Sequence, residues 1–192
     1  MYRVVTKREA DKVVAHVIGR VKQKAGDKIV AAGSYRRGRP RLKDIDFITN
    51  VDLNTVAQRL GLEKEFEKTR RKIAFRFKDL KIDISYVKYP EEWPYALLHF
   101  TGDGLFNVRV RNHAKKMGYK VNQYGIFDSK TGERAAGSEN LKTERQVLKF
   151  LDFPWRAPYE RVTDIEKKPK IGKHKEPEIT RARPKPIVLK KL

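Results

Sequence analysis

Three aspartates set into apolar, strand-like runs constrain this chain more than any other feature of it. Asp44 and Asp46 flank Ile45 at the start of Ile45-Asp46-Phe47-Ile48, and Asp83 sits inside Leu80-Lys81-Ile82-Asp83-Ile84. Side chains alternate between the two faces of a strand, so residues two apart point the same way. Asp44 and Asp46 therefore offer two carboxylates side by side. Asp83, between two isoleucines, points away from the core-facing stripe and is expected beside the other two. Adjacent carboxylates repel unless a hard divalent cation lies between them, and all-oxygen ligation suits Mg²⁺. Upstream, the run Ile29-Val30-Ala31-Ala32 closes on Gly33-Ser34, with Arg36 and Arg37 following. A Gly-Ser turn with outward backbone N–H groups beside arginines is a phosphate cradle. Either motif alone is commonly structural. Their conjunction, with a third aspartate in a matching frame, points to in-line phosphoryl displacement between two metal ions.

At this point the sequence resembles a known family. Gly33-Ser34 with the aspartates at 44, 46 and 83 is similar to the nucleotidyltransferase palm of the family X DNA polymerases. A second block makes the match specific: His99-Phe100-Thr101-Gly102-Asp103-Gly104-Leu105-Phe106-Asn107, then Arg111-Asn112-His113-Ala114. It resembles the nucleotide-binding segment of polymerase beta-like members, and Gly118 to Gly125 continues it in register. His-Phe-Thr-Gly and Asn-Gln-Tyr-Gly are most similar to a short viral form of the family. The resemblance covers roughly residues 5 to 160.

The resemblance implies roles residue by residue. Asp44, Asp46 and Asp83 would be the catalytic carboxylates and would bind two Mg²⁺ ions, for which Mn²⁺ can substitute. Asp83 would serve the catalytic metal only and lie nearest the primer 3′-hydroxyl proton. Gly33, Ser34 and Arg37 would meet the triphosphate. His99 and Phe100 would line the sugar pocket, Gly102 and Asp103 would lie under the base, and Asn107 would reach its minor-groove edge. Lys81, Arg111 and Tyr124 would contact DNA, with Lys81 at the primer terminus and Arg111 on the template. The chain also departs from the pattern. Leu42 and Lys43 stand where polymerase beta has small residues before its first catalytic aspartate, so a phosphate contact would differ or come from Lys43. His99 stands where cellular members have tyrosine, and its bland reading as a packed ring stays open. Nothing in the sequence resembles the lyase domain or helix-hairpin-helix anchors of cellular relatives, so neither they nor lyase activity is expected.

Composition narrows the partners. With 45 Lys and Arg against 24 Asp and Glu, the net charge is +21, which favours a polyanionic partner and affinity that falls steeply with salt. An acidic membrane is the rival explanation, but no basic amphipathic helix of the membrane-surface kind stands out. No apolar run approaches a bilayer span, and no signal-peptide core is visible. The chain has no cysteine, which removes disulfides, thiolate zinc sites and cysteine nucleophiles. An intracellular protein is the simplest inference, in the cytoplasm or nucleus, or in a virion if the chain is viral.

Periodicity gives an α+β architecture, a small mixed sheet backed by helices. Ala10, Val13, Val14, Val17, Ile18 and Val21 recur at helical steps over 7–24, with His16 on the solvated side. Strands are expected at 28–32, 44–49, 73–77 and 80–87, the last two forming a hairpin about Lys78-Asp79, and a short helix over Leu53 to Leu62. The breakers between Tyr89 and Pro94 mark a junction. Beyond it come a helix over 103–117, with Asn107 and Arg111 one turn apart, and a final helix from Glu144 to Leu151 behind a Thr143–Gln146 capping box. Trp93, Tyr95, Leu97 and Leu98 are expected to pack. Residues 162–192 hold ten Lys or Arg, four Asp or Glu and four prolines, a tail composition. It reads as a DNA-contacting arm in preference to a nuclear-localisation signal or a solubilising tail.

The expected layout is thus a palm over 1–90, a smaller C-terminal α+β subdomain for nucleotide and template over 91–161, and a basic tail over 162–192. The expected function is template-directed addition of dNTPs to a primer, filling short gaps in base-excision repair, by a monomer acting on gapped or primed DNA. The alternatives are a template-independent terminal transferase or other nucleotidyltransferase, and a non-catalytic DNA-binding protein on the same scaffold.

Overall fold

The computed structural model describes residues 4–62, 66–78 and 80–161; the expected basic tail of 162–192, and Asp79 of the expected hairpin turn, lie outside the described residues. A mixed sheet carries the three aspartates. Its strands are β2 (Ile29–Ala31), β4 (Asp44–Thr49), β5 (Phe66–Lys68), β6 (Lys72–Phe77) and β7 (Leu80–Tyr86), in the order β2-β4-β7-β6-β5. Among the described strands of this sheet, only the β4–β7 pair is parallel. Two short strands, β1 (Val5–Thr6) and β3 (Arg41–Leu42), pair beside it.

Alternation sorts the two faces of this sheet. Ile45 and Phe47 of β4, Ile82 and Ile84 of β7, and Ile73 and Phe75 of β6 are buried on one face. They pack against Val13, Val14 and Val17 of α1 (Lys7–Val21) and Val56 of α3 (Leu53–Leu60). Full burial of each such side chain contributes about 1.5–3 kcal/mol. A Thr6–Glu9 capping box starts α1, and Asp52 caps α3 by accepting from the Asn54 and Thr55 N–H groups. Gly61, in the left-handed region at φ +67°, ends α3 with Leu62 N–H donating back to Ala57 O. His16 is exposed, as expected, and stacks on Phe77 with ring centroids 5.0 Å apart. The other face of the sheet carries Asp44, Asp46, Asp83 and Ser85, then turns apolar at Ile48 and Val87.

The apolar end of that face is covered by a helix the sequence pattern does not disclose. Pro94 belongs to a breaker cluster, yet it sits in the first turn of α4 (Trp93–Thr101), where its missing N–H costs nothing. Ala96 packs on Ile48 and Val87, with Trp93, Leu97 and Phe100 beside it. A second core then forms from Tyr95 and Leu98 of α4, Phe106, Val110 and Ala114 of α5 (Gly104–Lys116), and Val147, Leu148 and Leu151 at α6 (Glu144–Phe150). The Thr143–Gln146 capping box is present. Ile126 joins this core from the hairpin β8 (Tyr119–Asn122) and β9 (Gly125–Asp128). Leu105 and Val108 of α5 are exposed. Among the described residues no helix is long and apolar enough to cross a membrane.

Candidate active site

Strand register sets the three aspartates on one face of the sheet. Asp46 lies directly across the parallel β4–β7 pair from Asp83, and Asp44 lies across from Lys81, so all four side chains share one face. Asp83 is buried; its Oδ2 receives Lys72 Nζ at 3.0 Å and Lys81 Nζ at 3.1 Å, while its Oδ1 is buried with no hydrogen-bond partner. Burial pushes the Asp46 carboxyl up to about 6, helped by the charges of Asp44 and Asp83 and opposed by Lys72 and Arg37. Among the described residues no three Asp, Glu, His or Cys side chains are drawn together closely enough to hold a metal ion as they stand. The donor set nevertheless fits a hard cation. It offers carboxylate oxygens only, one of them a buried acceptor without a donor, and mutual repulsion that a divalent charge would relieve.

Beside this cluster, α2 (Gly33–Arg36) is a single helical turn that begins at the end of β2. Gly33 has φ +54°, and a Cβ there would run into Oδ2 of Asp46. Only glycine lets the turn sit against that carboxylate. Ser34 follows Gly33 in the turn. Arg37, at its end, donates from Nη1 to Thr101 O at 3.0 Å, and its Nε is buried without a partner. Burial lowers the pKa of this guanidinium, and the nearby Asp103, Asp46 and Asp44 charges oppose that. Lys43 is exposed in the bend before β4, whereas Leu42 is a core residue paired with Val5. Of the two residues that depart from the family pattern, Leu42 packs inward and Lys43 stays at the surface.

The residues expected to meet base and sugar gather at the junction of α4 and α5. Asp103 caps α5 by accepting from Phe106 N–H at 2.7 Å. Asn107 donates Nδ2 to His99 O at 2.7 Å, and a Cβ on Gly102 would stand 2.7 Å from Asn107 Oδ1. Arg111 donates from Nε to Asn107 O at 3.2 Å. His99, Asn107, Arg111 and Asn122 line one small pocket of about 20 Å³, room for about one water. Burial lowers the pKa of His99, and the Arg111 charge lowers it further. Phe100 and Tyr124 belong instead to a separate cleft of about 200 Å³ between β6, β7 and the β8–β9 turn, which Lys72 and Ser85 also line. The Tyr124 ring lies 5.3 Å from the Arg71 guanidinium.

Two further features escape the motif reading. Arg36, expected with Arg37 as part of a phosphate cradle, is instead taken up by partners in the C-terminal half. It donates to Thr101 Oγ1 at 2.7 Å and to both carboxylate oxygens of Glu144 at 2.7 and 3.0 Å. Arg161, fully buried, donates to the same Glu144 at 2.5 Å. Lys72 is the other. Its place on the face of Asp83 becomes legible once the β6–β7 hairpin sets Lys72 across from Ser85.

A carboxylate-bearing mixed sheet, a glycine-pinned helical turn beside it, and helices α4, α5 and α6 with the β8–β9 hairpin make up a polymerase beta-like nucleotidyltransferase fold. Comparison with known proteins agrees. The DNA polymerase beta thumb family matches residues 96–162. Repair DNA polymerase X of African swine fever virus (isolate Warthog/Namibia/Wart80/1980) is 33% identical over 147 residues, covering 70% of this chain and 81% of the relative. DNA polymerase lambda of Arabidopsis thaliana is 30% identical over 172 residues, covering 71% of this chain and 32% of the relative. A crystal structure of Leishmania infantum polymerase beta, a ternary P/T complex, superposes with a TM-score of 0.69 at 22% identity, covering 84% of this chain and 77% of that chain. The chain belongs to the family X DNA polymerases, and so to the DNA-directed DNA polymerases.

Proposed function

We propose that this chain extends a DNA primer under template direction, in a Mg²⁺-dependent reaction that fills short gaps during base-excision repair inside the cell or virion. The observation that carries the reading is the register of Asp46 across from Asp83, with Asp44 two residues along the same face. Asp44, Asp46 and Asp83 would hold two Mg²⁺ ions, which when bound acidify the primer 3′-hydroxyl and steady the departing pyrophosphate. Asp83 would keep one buried oxygen aimed at the reacting centre, as its unpartnered Oδ1 suggests.

The remaining candidates keep the work that the resemblance implies for them. Ser34 and Arg37 would take the triphosphate, the Gly33 backbone would approach it closely, and Lys43 would supply an outer charge. His99 and Phe100 would border the sugar, Gly102 and Asp103 would support the base, and Asn107 would read its minor-groove edge while tied to the His99 carbonyl. Lys81 would meet the primer terminus, and Arg111 and Tyr124 the DNA. A preference for gapped or primed DNA as a monomer, with distributive and salt-sensitive binding, accords with the +21 charge. The test is extension of a gapped duplex with dNTPs, read as primer length and pyrophosphate release, with and without the template strand. Templated extension that Asp44→Asn abolishes supports the reading. Equal extension without template would make the chain a terminal transferase, and no pyrophosphate at all would leave a binding protein.

A further inference from the structure

The nearest neighbours of the candidate catalytic carboxylate are two ammonium groups, and one of them has no role in the reading above. Lys72 comes from β6, the strand antiparallel to β7, where it stands opposite the small Ser85. That pairing leaves it free to lean along the sheet to Asp83, whose Oδ2 it meets at 3.0 Å. The side chain is 44% exposed and borders the 200 Å³ cleft with Ser85, Phe100 and Tyr124. A half-hydrated lysine beside open space can leave a carboxylate at little cost. The buried fork of Arg36 on Glu144 cannot.

We propose that Lys72 is a displaceable counter-cation of the metal site: it holds Asp83 until a divalent cation arrives, then swings into the cleft to take a phosphate of the primed DNA. The inference rests on the proposed reading of Asp83 as a metal ligand. Its physical content is a competition. A charge of +1 within about 5 Å of a divalent ion weakens that ion's binding by roughly tenfold even at the dielectric constant of water. The same charge strengthens binding of a phosphate strand by one released counterion. Removing Lys72 must therefore shift cation and DNA affinity in opposite directions. A residue that only packed would weaken both or move neither.

The experiment uses the full chain with Mn²⁺ as the probe, its affinity read by electron paramagnetic resonance without nucleotide or DNA. Primed-DNA affinity is measured separately in EDTA-free buffer with Ca²⁺ in place of Mg²⁺. Lys72→Met is expected to bind Mn²⁺ about tenfold tighter and primed DNA several-fold weaker, with a smaller salt dependence. Lys72→Arg, which keeps the charge, is expected to return both affinities to the parental values. Thermal melts confirm that each variant is folded. Unchanged or weaker Mn²⁺ binding in Lys72→Met, or tighter binding in Lys72→Arg as well, overturns the proposal while leaving Asp83 as a ligand intact. Mn²⁺ binding that Asp83→Ala leaves unaltered overturns the metal reading itself, and the role of Lys72 with it.

Discussion

Arg36 and Glu144 stand 108 positions apart in the chain and meet as a two-pronged pair, Nη2 to Oε2 at 2.7 Å and Nη1 to Oε1 at 3.0 Å. The pair joins the helical turn beside the carboxylate cluster to the first turn of α6. Glu144 also takes the fully buried Arg161 at 2.5 Å, so one carboxylate compensates two guanidinium groups. Removing it leaves Arg161 buried without its partner. Breaking a buried pair from one side costs about 3–5 kcal/mol. Glu144→Ala is expected to lower the unfolding free energy read from urea melts by an amount in that range, and Arg36→Met, which leaves the Glu144–Arg161 pair whole, by distinctly less. Equal small losses in both variants would show that the pair is not under strain of burial.

Gly33 predicts a second outcome. Its φ of +54° and the Asp46 carboxylate over its Cα leave no place for a methyl group. Gly33→Ala should destabilise the fold by about 1–3 kcal/mol and reduce primer extension far more than that loss alone would. The neighbouring Gly38→Ala provides the comparison, because it has φ +74° but open space around its Cβ. It should show backbone strain without loss of extension. Paired melts and extension rates of the two variants check this.

The electrostatics of Asp46 set a pH dependence. Its carboxyl holds a proton up to about 6 in the folded chain against the ordinary 3.8. Between those values the folded state binds more protons than the unfolded one, so this group's contribution is fully present below about pH 4 and is lost as pH rises through about 6. On the proposed metal reading, a divalent cation would take the proton's place. Millimolar Mg²⁺ should therefore raise the melting temperature at about pH 7.5 and scarcely at about pH 5. EDTA should reverse the effect, and Asp46→Asn should abolish it. A shift of equal size at both pH values, or one that survives Asp46→Asn, would place the cation elsewhere.

The parts of the molecule readable from sequence are those governed by local periodicity. Asp44, Asp46 and Asp83 betray a shared face because Ile45, Ile82 and Ile84 fix the alternation, and α1 declares itself through Val13, Val14, Val17 and Val21. Helix α4 stays hidden because Pro94 looks like a breaker unless its place in the first turn is known. Gly118 to Gly125 carries the family resemblance, yet the stretch shows too little alternation to announce the hairpin of β8 and β9. Arg36, Glu144 and Arg161 are each ordinary surface-type residues in one dimension, and their burial is a property of tertiary contact. Lys72 belongs to the same class, since its neighbour Asp83 depends on the β6–β7 register. The tail reading lies outside the described residues.

The most direct test of the central claim is single-turnover filling of a one-nucleotide gap by Asp83→Ala, with DNA binding measured alongside. Loss of one carboxylate from a charge-stabilising cluster should slow insertion by about 10³-fold or more, with DNA affinity held within about threefold because phosphate contacts dominate it. Insertion by Asp83→Ala at close to the parental rate would contradict the account.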